Sequence, residues 1–112
     1  MKKLFISHPM GGLSNEEILA ERKRITSKVK EIIDEPVEVL DSYFPDYNPQ
    51  KNTPLAFLAK AITVLAEADI AYFSNNWREA RGCKIEYECA KQYGIKIIEE
   101  WLKHIERSEN DE

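Results

Sequence analysis

The sequence predicts a single α/β domain built on a parallel sheet. Short apolar segments alternate with segments whose apolar residues recur every three or four positions, the patterns of buried strands and amphipathic helices. This alternation is typical of a parallel sheet with helices on both faces. The length of 112 residues suits one domain with its own core. With right-handed crossovers, we expect a small flavodoxin-like three-layer α/β/α fold, with a four-stranded sheet in the order 2-1-3-4.

Strands and helices are predicted to follow one another strictly along the chain. The first helix has the clearest start, because Ser14 and Glu17, three residues later, form a capping box. Gly94 suits the left-handed position that ends many helices. In chain order we predict a strand at 2–7, a helix at 15–34, a strand at 36–42, a helix at 55–68, a strand at 69–74, a helix at 82–93, a strand at 95–100 and a short final helix, which runs into a frayed acidic tail at 106–112.

Composition excludes several classes of function. The net charge of -4 argues against binding a nucleic acid polymer or an anionic membrane, both of which need a basic excess. No apolar stretch approaches the roughly 20 residues of a membrane span, and the opening lacks the apolar run of a signal peptide, so we expect a cytoplasmic protein. Cys83 and Cys89 lie about 9 Å apart along one predicted helix, too far for a disulfide. No metal site is expected, because neither His8 nor His104 lies at ligand spacing from them.

Topology predicts where a ligand would bind. In a doubly wound sheet of this order, ligands bind beyond the carboxyl ends of strands 1 and 3. The loops at that point are "SHPMGG" at 7–12 and "SNNWREARG" at 74–82, which are among the most unusual of the chain. The loop "YFPDYNPQKNTP" at 43–54 follows strand 2, and loops of this length are usually functional or mobile.

Residues after strand 1 are candidates for ligand contact, each with an ordinary alternative. Gly11 and Gly12 would let a phosphate or a sugar approach the backbone beside a helix N-terminus, or they simply form a strand-to-helix turn. His8 contacts a ligand, or it is an ordinary loop histidine.

Aromatic residues in the other two loops have the same ambiguity. Trp77 stacks on a base or covers the core as a rim aromatic. Tyr43, Phe44 and Tyr47 form a lid over an aromatic base, or they anchor the long loop to the core.

Glu86 is the sharpest candidate for chemistry. If the third helix begins near Arg81 or Gly82, Glu86 lies about one turn in, where the helix dipole favours an anion by roughly 0.3–1 kcal/mol. Glu88 lies about 200° further round the helix and cannot share that face. The alternative is a solvated helix face. The apolar stripe of this helix is predicted at Ile85, Cys89 and Tyr93, with Ala90 beside it, and Glu86 borders that stripe.

Two segments resemble nucleoside 2-deoxyribosyltransferase-like proteins. "FISHPMGG" looks like their opening motif, and "ADIAYFSNNWREARGCKIEYECAKQYGIKII" looks like their segment built on G-x-x-x-E-x-x-x-A. The matching residues of the second segment are Ala68, Asp69, Gly82, Glu86, Ala90 and Gly94. The small branch labelled DUF4406 is the most similar, through Trp77, Gly82, Cys83 and Glu86. The resemblance runs from strand 1 to strand 4.

The resemblance implies N-glycosidic bond cleavage or 2-deoxyribosyl transfer on a nucleoside or a nucleoside 5′-monophosphate, with Glu86 as the nucleophile. The acidic positions of the transferases are not kept: Ala61 and Ala80 stand at or near them, which leaves Glu79 as the candidate general acid. His8 stands where the family has glycine. A non-catalytic protein that binds a nucleotide or nucleotide sugar in the same pocket is therefore the alternative.

The resemblance also implies partners and a set of binding residues. The partner is a small-molecule nucleoside or nucleotide, no metal or organic cofactor is implied, and a homo-oligomer, a dimer or a tetramer, is expected. Trp77, Tyr43 and Tyr47 would hold the base. The full set predicted to bind substrate is Ser7, His8, Met10, Gly11, Gly12, Tyr43, Tyr47, Trp77, Arg81 and Gly82.

Overall fold

Strands and helices alternate along the chain, as predicted. A computed structural model describes residues 1–100, and the predicted final helix and acidic tail lie outside these described residues. The elements are β1 (Lys2–Ser7), α1 (Asn15–Ile33), β2 (Val37–Val39), α2 (Thr53–Leu65), β3 (Ile70–Phe73), a short 3₁₀ turn (Trp77–Glu79), α3 (Arg81–Gln92) and β4 (Lys96–Glu99). Within residues 1–100, no helix is both long and apolar enough to cross a membrane.

All four strands are parallel and lie in the order β2-β1-β3-β4. This order confirms the predicted flavodoxin-like fold. The register pairs Leu4 with Val39 on one side and with Ile70 on the other. The strands β1 and β3 stay paired to their carboxyl ends, where Ser7 is in register with Phe73. The connections that leave them run to opposite faces of the sheet, so the loops after β1 and β3 diverge and open a crevice at that edge.

The sheet separates two hydrophobic cores, because successive side chains of a strand point to opposite faces. Leu4 and Ile6 pack on the side of α1, whereas Phe5 packs on the side of α2 and α3. Ser7 follows Phe5 on that second side and therefore ends β1 beneath α3. The first core contains Leu4, Ile6, Ile25, Val29, Val37, Ile70 and Tyr72, and the second contains Phe5, Ala61, Leu65, Ala71, Phe73, Trp77, Cys83 and Ala90.

Helix α2 begins earlier than predicted. The prediction placed its start at Leu55, after Pro54, but the helix begins at Thr53. Asn52 caps it, since its side-chain oxygen accepts a hydrogen bond from the Leu55 backbone N–H at 3.3 Å. Pro54 is tolerated in the first turn, where its missing N–H has no partner within the helix in any case.

The capping box at the start of α1 is present and gives a first prediction. Ser14 Oγ accepts from the Glu17 N–H at 3.1 Å, and Glu17 Oε1 accepts from the Ser14 N–H at 2.8 Å. Ser14→Ala should lower the free energy of unfolding by about 1 kcal/mol, measured by urea denaturation. Ser27→Ala, at an exposed site of the same helix, should change it by less than about 0.5 kcal/mol. Equal losses in the two variants would contradict a capping role.

Candidate functional site

An open cavity of about 810 Å³ lies at the carboxyl edge of the sheet, beside the end of β1. Residues 5–11 line its floor, residues 80–83 with Ile85 and Glu86 line one wall, and residues 42–44 with part of α2 line the other. This is the edge that topology predicted for a ligand. Across residues 1–100, no group of three His, Cys, Asp or Glu side chains is arranged to hold a metal ion.

Glu86 is the carboxylate of this cavity. Ser7 Oγ donates a hydrogen bond to Glu86 Oε1 at 2.6 Å, which joins the end of β1 to the second turn of α3. Burial raises the pKa of Glu86 to about 7, and the hydrogen bond from Ser7 opposes that rise. The carboxyl group is therefore poised to gain or lose a proton near neutral pH, as acid, base and nucleophile groups of active sites often are.

The predicted apolar stripe of α3 is confirmed at Cys89 and Ala90, which pack against the second core, and is wrong at Ile85 and Tyr93. Tyr93 is 83% exposed and Ile85 is 39% exposed, whereas Cys83 and Ala90 are buried. Small side chains let α3 approach the sheet closely, so its inward face runs through Cys83, Glu86 and Ala90. Glu86 lies within that face rather than at its border. Glu88 points elsewhere, as predicted, and is exposed with Gln92 hydrogen-bonded to it.

The structure brings most of the predicted site residues together and leaves some apart. Those that line the cavity are Ser7, His8, Met10, Gly11, Tyr43, Arg81, Gly82 and Glu86. Those that do not line it are Gly12, Tyr47, Trp77 and Glu79.

Trp77 belongs to the core rather than to the cavity wall. It is 6% exposed, and its ring stacks on Tyr87 with the centroids 4.1 Å apart. Phe73 contacts it edge-on, and the Arg78 guanidinium lies 4.4 Å from its ring centroid. These contacts favour the core-covering interpretation of Trp77. Glu79, on the same 3₁₀ turn, is exposed, which favours a solvated side chain over the predicted general acid.

The long loop after β2 is anchored to α2. Tyr47 packs edge-on against Phe57 with the centroids 5.1 Å apart, and the Lys60 ammonium lies over Tyr47 and Phe44. For Tyr47 these contacts favour the anchoring interpretation, whereas Tyr43 lines the cavity.

Gly12 has φ 83° and lies exposed in the turn before α1. Its position favours the simple strand-to-helix turn, since only glycine adopts this backbone conformation without strain.

The apolar wall formed by α2 was missed by sequence reasoning. Leu55, Phe57, Leu58 and Ala61 of this helix line the cavity. The sequence of α2 did contain a signal for this wall, because the helix is apolar around more of its circumference than packing against one core requires. The additional apolar face indicates a second apolar neighbour or a ligand.

Ser7 gives a second prediction. Its hydrogen bond stabilises ionised Glu86, so Ser7→Ala should raise the pKa of Glu86 above about 7, by roughly one unit. The carboxyl carbon shift of Glu86, followed by NMR against pH, measures this. Ser74→Ala is the control, because Ser74 directly follows β3 and its hydroxyl donates to Asn76 instead of to Glu86. An unchanged midpoint in Ser7→Ala would contradict the assigned hydrogen bond.

Comparison with known proteins identifies the family. The model of a family described as "Domain of unknown function (DUF4406)" matches residues 2–99, which include the whole sheet and every residue that lines the cavity. No curated protein and no solved structure gives a significant match. The match confirms the DUF4406 part of the resemblance, and the chain belongs to the DUF4406 family.

Proposed function

We propose that the protein cleaves the N-glycosidic bond of a nucleoside or a nucleoside 5′-monophosphate, with Glu86 as the nucleophile. The observation that carries this proposal is the enclosed carboxylate of Glu86 at the cavity wall, held by Ser7 at 2.6 Å. The resemblance of the β1 loop and of α3 to nucleoside 2-deoxyribosyltransferase-like proteins supports the same chemistry.

The reaction follows the logic of retaining glycosidases. A carboxylate oxygen of Glu86 attacks the anomeric carbon, and the bonding electrons of the C–N bond leave with the base, which takes its proton from water in the open cavity. The resulting glycosyl ester is then cleaved by water or by a second base. Only ionised Glu86 can attack. Because the pKa of Glu86 is about 7, this carboxyl group is ionised in a substantial fraction of the free protein at neutral pH.

The cavity suits a ligand with one polar and one apolar part. Its volume of about 810 Å³ falls within the range of roughly 300–1,000 Å³ that small-molecule sites occupy. Phe44, Phe57 and Leu58 offer an apolar surface to a base. Ser7 and Glu86 lie across from α2 and would contact the sugar.

The second candidate is a protein that binds a nucleotide or nucleotide sugar without chemistry. One observation favours it. Among the described residues that line the cavity, Glu86 is the only acidic one, and Glu79 lies outside. A retaining glycosidase uses two carboxyl groups about 5–5.5 Å apart, so the described site lacks the usual partner that protonates the leaving group.

The predicted homo-oligomer stands as part of this proposal. Leu55 on α2 is 57% exposed beside the mouth of the cavity, and contact with a second copy would bury it.

A panel of deoxy- and ribonucleosides and their 5′-monophosphates tests the proposed reaction. Each compound is incubated with wild type and with Glu86→Ala, and free base is measured by chromatography. Base released by wild type alone would support N-glycosidic cleavage, and an added acceptor base then separates transfer from hydrolysis. No release from any compound, together with ligand-dependent thermal stabilisation, would favour the binding protein.

A further inference from the structure

Arg22 is a buried cation within an apolar stripe. It lies among the buried residues of α1 and is only 8% exposed. Among residues 1–100, no carboxylate lies within ion-pairing distance of it, and its Nη1 is buried without a hydrogen-bond partner. A buried charge without a paired group is costly, whereas a long apolar side chain would fill the same place in the stripe without that cost. Packing of the core therefore does not explain why an arginine stands here.

The strand β2 leaves β1 close to this side chain. The two strands are in register only as far as Leu4 and Val39, and the Leu40 N–H adds one more bond, to the Leu4 carbonyl at 2.8 Å. Strand β1 itself continues to Ser7. In a parallel ladder the backbone groups of alternate residues point to the same neighbouring strand, so the Ile6 carbonyl points toward β2, as the Leu4 carbonyl does. Beyond Leu40, this side of β1 therefore needs other hydrogen-bond partners.

Arg22 and Ser42 supply the bonds that the ladder no longer makes. Arg22 Nη2 donates to the Leu40 carbonyl at 3.3 Å and to Ser42 Oγ at 3.0 Å. Ser42 Oγ in turn donates to the Ile6 carbonyl at 3.4 Å. Leu40 and Ile6 are both buried, and an unpaired buried carbonyl is costly. The guanidinium thus fastens the chain that follows β2 to the end of β1.

The chain fastened in this way forms part of the cavity. Ser42, Tyr43 and Phe44, here called the β2 wall, all line the cavity of about 810 Å³. Ser42 is buried, whereas the two aromatic side chains are half-buried. The hydroxyl of Tyr43 donates to Asn15 Oδ1, and that bond is exposed to solvent. The bonds from Arg22 are therefore the buried polar anchor of the β2 wall.

We propose that Arg22 is a positioning residue that holds the β2 wall in place and thereby sets the affinity of the cavity for its ligand. It acts through Leu40 and Ser42 and does not itself line the cavity. The identity of the ligand rests on the proposed function: a nucleoside whose base packs against the β2 wall. Ser7 and Glu86 are bonded to each other on β1 and α3, so loss of Arg22 should weaken binding of the base and leave the chemical step unchanged.

Amide hydrogen exchange followed by NMR tests this role without a substrate. Arg22→Met should speed exchange of the Leu40 N–H, the last ladder donor before the bonds of Arg22, roughly tenfold or more. The Ser74 N–H donates to the Ser7 carbonyl on the β3 side of the same strand, and its exchange should stay within about twofold. Lys23→Met, at an exposed site of α1, should leave both rates unchanged. Equal acceleration of both amides, or unchanged exchange of Leu40, would overturn the proposal.

Ser42→Ala is a second variant, which removes the same anchor without a change of charge and decides the matter if Arg22→Met does not fold. It should also speed exchange of the Leu40 N–H relative to that of Ser74. With a nucleoside from which wild type releases base, either variant should raise KM roughly tenfold and keep kcat within about threefold of wild type, because the lost contact binds ground state and transition state alike. A fall in kcat at unchanged KM would refute positioning of the β2 wall. If wild type releases no base, the proposed function fails, and the exchange of Leu40 still decides the role of Arg22.

Discussion

Glu86→Gln should lower the rate of base release from an active nucleoside by about a thousandfold or more, because an amide cannot form the glycosyl ester that the proposed mechanism requires. The side chain keeps its size, and its amide oxygen can still accept the hydrogen bond from Ser7 that the carboxylate accepts at 2.6 Å. The loss should therefore appear in the rate and not in the folded structure. Initial rates of base release measure the loss of activity, and circular dichroism checks that the variant is folded.

Glu88→Gln is the matched control for this loss. It makes the same change of charge on the same helix, but Glu88 is exposed and accepts its hydrogen bond from Gln92. Its rate should stay within about twofold of wild type. If Glu86→Gln keeps more than a tenth of the wild-type rate, or if both variants lose activity equally, Glu86 is not the nucleophile.

The second large effect concerns stability against pH. The pKa of Glu86 is raised from 4.5 to about 7, chiefly by burial, so the folded state binds this proton more tightly than the unfolded state does. Ionised Glu86 therefore destabilises the fold. Its titration lowers the free energy of unfolding as the pH rises from about 4.5 to about 7, and above that range its contribution is constant. The difference between the two pKa values corresponds to at most roughly 3 kcal/mol.

Glu86→Gln removes this titration. Its free energy of unfolding relative to wild type should rise by roughly 2–3 kcal/mol between pH 4.5 and pH 8, as measured by urea denaturation at each pH. The other titrating groups contribute equally to the pH dependence of both proteins, so their contributions cancel in the difference between the two free energies of unfolding. Glu88→Gln should follow the wild-type curve in parallel. A Glu86→Gln curve that also runs parallel to wild type would show that burial does not perturb Glu86.

Local patterns were sufficient for the framework of the fold. The apolar run at 2–7, the capping box at Ser14 and Glu17, and Gly94 at the end of α3 are signals within one element, and the structure contains all three. The alternation of elements then limits the topology, because parallel strands need right-handed crossovers. The strand order and the edge that carries the cavity follow from that rule.

Residues whose role depends on distant partners could not be placed in the same way. Trp77 is apolar and follows a strand, a description that fits a cavity rim and a core equally well. Its stacking on Tyr87 decides between them, and that contact joins two different elements. In α3, hydropathy favoured Ile85 and Tyr93, but the face that packs is set by the small residues Cys83 and Ala90.

Capture of the covalent intermediate tests the central claim most directly. Wild type is mixed with a nucleoside from which it releases base, quenched in acid, digested and examined by mass spectrometry. The account predicts one sugar residue on the peptide that contains Glu86 and Glu88, with fragmentation assigning it to Glu86. Base release with no sugar on Glu86 would contradict the role of Glu86 as nucleophile and would indicate that it acts as a general base that activates water. Sugar on Glu88 would refute the assigned site.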